Sequence, residues 1–328
     1  MKNIFLIGTE HQYFQVTEAI RVLNLNRNKC TLIIEDTGKE KAFIKRLETE
    51  SAFESLIVFK TWTFKKVLKG GGEVKDFIKI CKSFEKEKIT LWASHYDSDS
   101  TLLFLSLVQP NEFYLMDEGT GSFRVNHRRL SGETQQFKLW VKSLFYPVKI
   151  RLPQKLTYFS KYNLQLNAND DIKPYLPIKK KNQLKSTLKN EMIFLGSSIT
   201  EVGLIAENKY LQFLEQVYQK AETEHCSYYP HRKEEENKLN QIAQMGFRIV
   251  KTDQPFEVVF NEIKEMPSVM SSFFCTSVLD NLSSMYEETP QLKLFSFDPK
   301  LLTKDAEIFG MILNHLKNNP KLQIVELS

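Results

Sequence analysis

The first half of the chain repeats one pattern: a short apolar run, a turn, then apolar residues at helical spacing. Asn3-Ile4-Phe5-Leu6-Ile7-Gly8 predicts a buried strand, and Phe14, Val16, Ala19, Ile20 and Leu23 predict the helix after it. Strands are predicted again at Cys30–Ile34, Ser55–Phe59, Ile89–Ala93 and Phe113–Met116, with helices near 39–50, 74–84 and 101–108 between them. Gly70-Gly71-Gly72 punctuates the third repeat. Strands alternating with helices imply a parallel sheet covered on both faces.

From Arg128 to Tyr158 the pattern loosens into basic and aromatic residues broken by Pro147 and Pro153. Asn167-Ala168-Asn169-Asp170-Asp171, Pro174, Pro177 and the run Lys179-Lys180-Lys181 then predict a connection over 161–190. The lysine run is a solvated linker or, less simply, a contact for anionic lipid headgroups. A second α/β pattern starts at Met192, with strands at 192–198, 226–231, 247–250 and 271–277. Lys293–Phe297 is the last clear strand, and helices fall at 210–223, 234–245, from 278 and at 306–316. Two domains are expected, 1–160 and 191–328, facing across a cleft.

Composition narrows the class. Hydrophobic residues are 42% and charged residues 26%, as in a soluble globular chain. The net charge of +5 does not suggest a nucleic-acid binder, although it would help a peripheral protein approach an anionic membrane. Cys30, Cys81, Cys226 and Cys275 lie far apart, which suits reduced thiols in the cytoplasm better than a disulfide framework or a zinc site. No run reaches the roughly 18 apolar residues of a membrane span, so membrane contact is expected to be peripheral, on the inner face of the cell membrane.

Candidate chemistry clusters where predicted strands end. Asp117-Glu118-Gly119 follows the fifth strand, at the edge where open α/β sheets bind ligands. A carboxylate there is a candidate general base or part of a solvated turn. Gly119 and Gly121 would let the backbone turn with positive φ. His11 and His95 follow the first and fourth strands. In the second domain, Gly196-Ser197-Ser198 follows the first strand, and Tyr229-Pro230-His231 the next, with Arg232 and Lys233 beside it to lower the imidazole's proton affinity. Thr276 and Ser277 precede a helix, as a phosphate site or an ordinary cap. Asp97-Ser98-Asp99 matches a metal-holding Asp-x-Asp or, more cheaply, a turn before a helix.

Taken in order, Met116–Ser122, Phe194–Leu204, Tyr228–Glu235 and Phe274–Leu279 resemble the bacterial sialyltransferases of glycosyltransferase family 52, the lipooligosaccharide group, and also the bacterial polysialyltransferases. One departure stands out: many relatives carry Pro after the His, whereas Arg232 follows here and Pro230 precedes it. The resemblance implies a GT-B architecture of two Rossmann-like domains. It implies inverting, metal-independent transfer of sialic acid from CMP-sialic acid to a galactoside of lipooligosaccharide or capsule, with no cofactor. Asp117 would match the base, with Glu118 its neighbour, and His231 the group assisting the departing phosphate. Thr276 and Ser277 would hold that phosphate, while Gly196, Ser197, Ser198, Tyr229 and Pro230 would line the donor site; a homodimer is compatible with the family. Another nucleotide sugar as donor, or a non-catalytic carbohydrate or nucleotide binder, are the competing readings.

Overall fold

The computed structural model describes the chain except residues 39, 51, 63–66, 68–70, 118, 133–134, 181–187, 253, 255 and 264. Lys39, Gly70, Glu118 and Lys181, all considered above, therefore lie outside the described residues. The chain divides into two compact units, Met1–Leu176 and Pro177–Ser328.

The first unit is an α/β layer structure around a seven-stranded sheet. Its strands are β1 (Lys2–Ile7), β2 (Cys30–Asp36), β3 (Ser55–Lys60), β4 (Ile89–Ala93), β5 (Glu112–Met116), β6 (Thr157–Ser160) and β7 (Asp171–Pro174), in spatial order β3-β2-β1-β4-β5-β6-β7. Every pairing is parallel. A parallel sheet is covered on both faces, so its central strands are apolar throughout, and all five residues of β4 are buried. Phe5 stacks on Trp92 at 5.4 Å between ring centroids, while the Trp92 indole N–H donates to Asn3 Oδ1 at 3.0 Å. The crossover helices are α1 (Glu10–Val22), α2 (Lys41–Glu50), α3 (Gly72–Lys82) and α4 (Asp99–Val108). Thr9 starts α1 by accepting from the Gln12 backbone N–H, as a helix N-cap should.

The stretch 128–158 holds more order than its pattern predicts. Helix α5 (Gly121–Leu130) runs into it, α6 (Gln136–Phe145) follows, and β6 closes it. The expected connection 161–190 contains β7, a short edge strand paired to β6 and ending at Pro174, where the absent N–H costs no ladder bond.

The second unit has six parallel strands: β8 (Leu188–Leu195), β9 (His225–Tyr229), β10 (Arg248–Ile249), β11 (Met266–Phe273), β12 (Gln291–Ser296) and β13 (Leu322–Glu326), in order β10-β9-β8-β11-β12-β13. Strand β13 continues the sheet beyond Lys293–Phe297, which is therefore not the last strand. Its helices are α7 (Glu207–Gln219), α8 (Glu236–Gln244), α9 (Phe256–Glu262), α10 (Val278–Met285) and α11 (Ala306–Lys317). Phe194 anchors the core, stacked on Tyr228 and edge-on to Phe273.

Both sheets are doubly wound, because chain order reverses direction between β1 and β4 and again between β8 and β11. All strands of a sheet point the same way, so the loops after them share one edge, and the crevice at the reversal is where such sheets bind ligands.

Candidate active site

Within the first unit, the loops after β1, β4 and β5 share the carboxyl edge of the sheet. After β1, the Gly8 N–H donates to Gln12 Oε1 at 2.6 Å, and Gln12 Nε2 lies 3.0 Å from Nε2 of His95, which follows β4. His95 is exposed and His11 half-buried at this reversal point.

One strand further, Asp117 ends β5 with only 1% of its surface exposed. Its Oδ1 accepts from Ser122 Oγ at 2.6 Å and Ser160 Oγ at 2.7 Å, and its Oδ2 from the Lys161 backbone N–H at 2.8 Å. Burial pushes its pKa up to about 6, against the pull of those three donors and the Lys161 charge. Two carboxylate oxygens offer about four acceptor positions, and among the described residues three of them are taken by donors. A carboxylate with a pKa near 6 is a stronger proton acceptor than an ordinary Asp and is still ionised at neutral pH. The same three donors also tie β5 to α5 and to the end of β6, so Asp117 has a structural role alongside any catalytic one. Gly119 takes φ of +51°, the left-handed turn that favours glycine, whereas Gly121 has no positive φ and simply opens α5.

Asp97 and Asp99 are each paired with a different cation. Asp97 is bound by Arg128 at 3.0 Å and Asp99 by Lys142 at 2.5 Å, while Ser98 caps α4 by accepting from Thr101 N–H. Among the described residues no group of three His, Cys, Asp or Glu side chains gathers in a metal-holding arrangement.

In the second unit the loops after β8, β9 and β11 lie side by side on adjacent strands. His231, two residues past β9, is half-buried. Burial first, then the charges of Arg232 and Lys233, hold its pKa below the usual value, so the imidazole is neutral at pH 7. Its Nδ1 accepts from the Lys233 backbone N–H at 3.3 Å, which leaves the proton on Nε2 as a donor.

Behind His231 lies a buried polar cluster that sequence reasoning missed. Glu234 Oε1 accepts from the His231 backbone N–H at 2.6 Å, while Oε2 accepts from the Tyr228 hydroxyl at 2.6 Å and pairs with Lys238 at 2.9 Å. The Lys238 side chain is fully buried. It also reaches Thr200 Oγ1 at 2.9 Å and Glu201 at 3.2 Å, and its ammonium sits 3.9 Å from the centre of the Tyr210 ring. Burial raises the Glu234 pKa while Lys238 opposes the rise. The Glu234–Lys238 spacing of four residues was the available signal, but on a helix it usually marks a solvent-exposed pair.

This cluster explains Gly196. A Cβ there would clash with Glu234 Oε1 and with the Tyr228 hydroxyl, so the close approach that favours glycine is made by the protein itself. Ser197 is buried beside the Tyr210 hydroxyl, and Ser198 is half-buried. Tyr229 packs edge-on against Phe256, and Pro230 is half-buried beside it. Ser277 sits at the N-cap of α10 without a side-chain bond to the helix, whereas Thr276 Oγ1 accepts from the Val278 N–H at 3.1 Å, leaving its own hydroxyl proton to donate. Lys180 bridges to Tyr286 through its backbone, so part of the lysine run is built into the second unit.

No family model matches the chain, and no curated protein matches it. Among solved structures it is similar to Anabaena Alr3699/HepE in complex with UDP-glucose, with a TM-score of 0.49 and 10% identity over 98% of this chain and 91% of that one. It is also similar to Arabidopsis thaliana UGT89C1 complexed with UDP, with a TM-score of 0.49 and 10% identity over 99% and 86%. A third is Acinetobacter baumannii MurG, with a TM-score of 0.44 and 9% identity over 99% and 86%.

Proposed function

We propose that the protein is an inverting glycosyltransferase of the GT-B kind that moves sialic acid from CMP-sialic acid to a galactoside hydroxyl in lipooligosaccharide or capsule synthesis. The observation that carries the proposal is Asp117: a buried carboxylate at the carboxyl end of β5, with three donors among the described residues for its two oxygens and a pKa near 6. The order of the sequence elements, from the Asp-Glu-Gly turn through His231 to Thr276-Ser277, supports the choice of donor.

In this reading the acceptor hydroxyl approaches Asp117 Oδ2 and gives up its proton as its oxygen attacks the anomeric carbon. The bond from that carbon to the CMP phosphate oxygen breaks in the same displacement, which inverts the configuration. Charge then grows on the departing phosphate. His231 meets it with the Nε2 proton, and the hydroxyls of Thr276 and Ser277 with the amino end of α10 supply further donors. CMP carries one phosphate, so these groups suffice for its charge. Glu234 and Lys238 act through His231, by fixing the backbone of its loop.

A thermal-shift panel of CMP, UDP, GDP and their sugars tests the donor class, because a ligand that binds only the folded protein raises its melting temperature. CMP and CMP-sialic acid should stabilise the protein. Stabilisation by uridine or guanosine nucleotides alone would overturn the donor assignment, and no response to any of them would argue for a protein that does not bind nucleotide sugars.

A further inference from the structure

Helix α6 presents its apolar side outward. None of its ten residues is buried. Phe137, Trp140 and Leu144 are 74%, 58% and 60% exposed, and with Val141 they recur at spacings of three and four, which places them on one face. Phe145 adds to the same side, and the Phe137 and Trp140 rings stack at 6.0 Å between centroids. An amphipathic helix on a globular protein normally turns this stripe toward the core. Here the opposite side is the anchored one: Lys142 pairs with Asp99, Ser143 Oγ accepts from the Ile150 N–H, and the buried Tyr146 that follows the helix accepts from the Trp62 indole. The helix is therefore held firmly with its aromatic side facing out.

The surroundings are basic. From 121 to 161 the chain carries nine Lys and Arg against one acid, while the whole protein nets only +5. Some of these charges are spent on internal pairs, with Asp97, Asp99 and Asp170, but Lys138, Lys149, Arg151 and Lys155 are exposed. Just past α6 the segment 148–157 lines a cavity of about 880 Å³, edged by Lys149, Arg151, Lys155 and Lys173, with Glu112 and Asp171 also on its wall. Exposed aromatics flanked by cations match an anionic bilayer, where rings enter the headgroup boundary and cations meet lipid phosphates. A second copy of the chain would bring this positive surface against itself, which opposes association through it.

We infer that α6 is a membrane-docking helix that seats the first unit on an anionic lipid surface through Phe137, Trp140 and Leu144. The inference stands independently of the proposed reaction. Of the three tryptophans, Trp62 and Trp92 are buried, so a change in indole emission on membrane contact reports Trp140.

The test mixes the full chain with vesicles of phosphatidylcholine alone or with about 30% phosphatidylglycerol, reading co-sedimentation and tryptophan emission. Wild type should partition at least about tenfold better onto the anionic vesicles, with a blue shift that high salt reduces. The variant Phe137→Ser/Trp140→Ser/Leu144→Ser should lose about tenfold or more while keeping the wild-type melting temperature, since these side chains are exposed. Lys138→Glu/Lys149→Glu/Arg151→Glu should weaken binding to anionic vesicles with the apolar stripe intact, and guards against a fold defect in the first variant. Equal binding by wild type and the triple serine variant, or no wild-type binding to either vesicle, would overturn the inference. So would a wild-type dimer by ultracentrifugation that the serine variant dissolves in the absence of vesicle binding, because the stripe would then serve self-association.

Discussion

Replacing Asp117 by Asn separates the two roles its burial suggests. The folded-state pKa of about 6 lies above the ordinary 3.8, so the folded protein holds this proton more tightly than the unfolded chain does. The stability contributed by that proton is fully present below about pH 4 and lost as pH rises through about 6, a difference of about 3 kcal/mol. At neutral pH the ionised Asp117 is thus a cost to folding that a neutral amide avoids. Against this gain, the Asn amide would set its NH₂ or its single oxygen against Ser122, Ser160 and the Lys161 N–H, leaving at least one donor unpaired at about 1–3 kcal/mol. The two effects largely offset. The Asn variant should fold with a stability within about 2 kcal/mol of wild type, a melting shift of no more than about 8 °C for a unit of this size. Its transfer rate should fall by about 10²–10⁴, the usual loss of a general base. Melting followed by circular dichroism and steady-state release of CMP check the two halves. Wild-type turnover in the variant would refute the base assignment, and loss of folding would show that the carboxylate is chiefly a tie between β5, α5 and β6. A Glu118→Gln variant that lost turnover while Asp117→Asn kept it would move the base to the neighbouring residue.

Other outcomes follow from the same geometry. Below pH 6 the wild-type rate should drop as Asp117 takes up its proton, and a rate that stayed flat from pH 8 to pH 5 would count against the base. Replacing His231 with Ala should lower kcat at saturating acceptor while donor affinity, read by calorimetry, changes less; an unchanged kcat would make His231 structural. In Gly196→Ala the new methyl group meets Glu234 and Tyr228 inside contact distance, and a loss of about 1–3 kcal/mol in denaturant unfolding is expected. Lys238→Met strands Glu234 and Glu201 without their cation and should cost about 3–5 kcal/mol, much of it recovered in Lys238→Met/Glu234→Gln; an additive double variant would mean that the pair is not coupled.

The alternation of strand and helix was legible because the central strands are apolar from end to end, as in Ile89–Ala93. Position along the strands also located Asp117, His95, Gly196, His231 and Thr276 just past the carboxyl ends of their strands. The stretch around α6 was not legible as a helix packed on the unit, since its apolar stripe points to solvent and Pro147 follows closely. Strand β7, Asp-Ile-Lys-Pro, is a polar edge, and nothing in its pattern distinguishes it from a connection. The Glu234–Lys238 cluster escaped for a different reason. Its burial depends on Tyr210 and Tyr228 closing over it from α7 and β9, contacts that no local spacing records. Gly196 was legible as the turn after its strand, whereas the close approach of Tyr228 and Glu234 to it is a long-range contact that no local spacing records.

The central claim is a displacement at a CMP-linked sugar with Asp117 as base, and acceptor-dependent release of CMP tests it most directly. With CMP-sialic acid and a lactose-terminated acceptor, CMP should appear in step with an inverted, sialylated product, and Asp117→Asn should abolish both. Release of UDP from a UDP-sugar under the same conditions, with CMP-sialic acid left intact, would contradict the account.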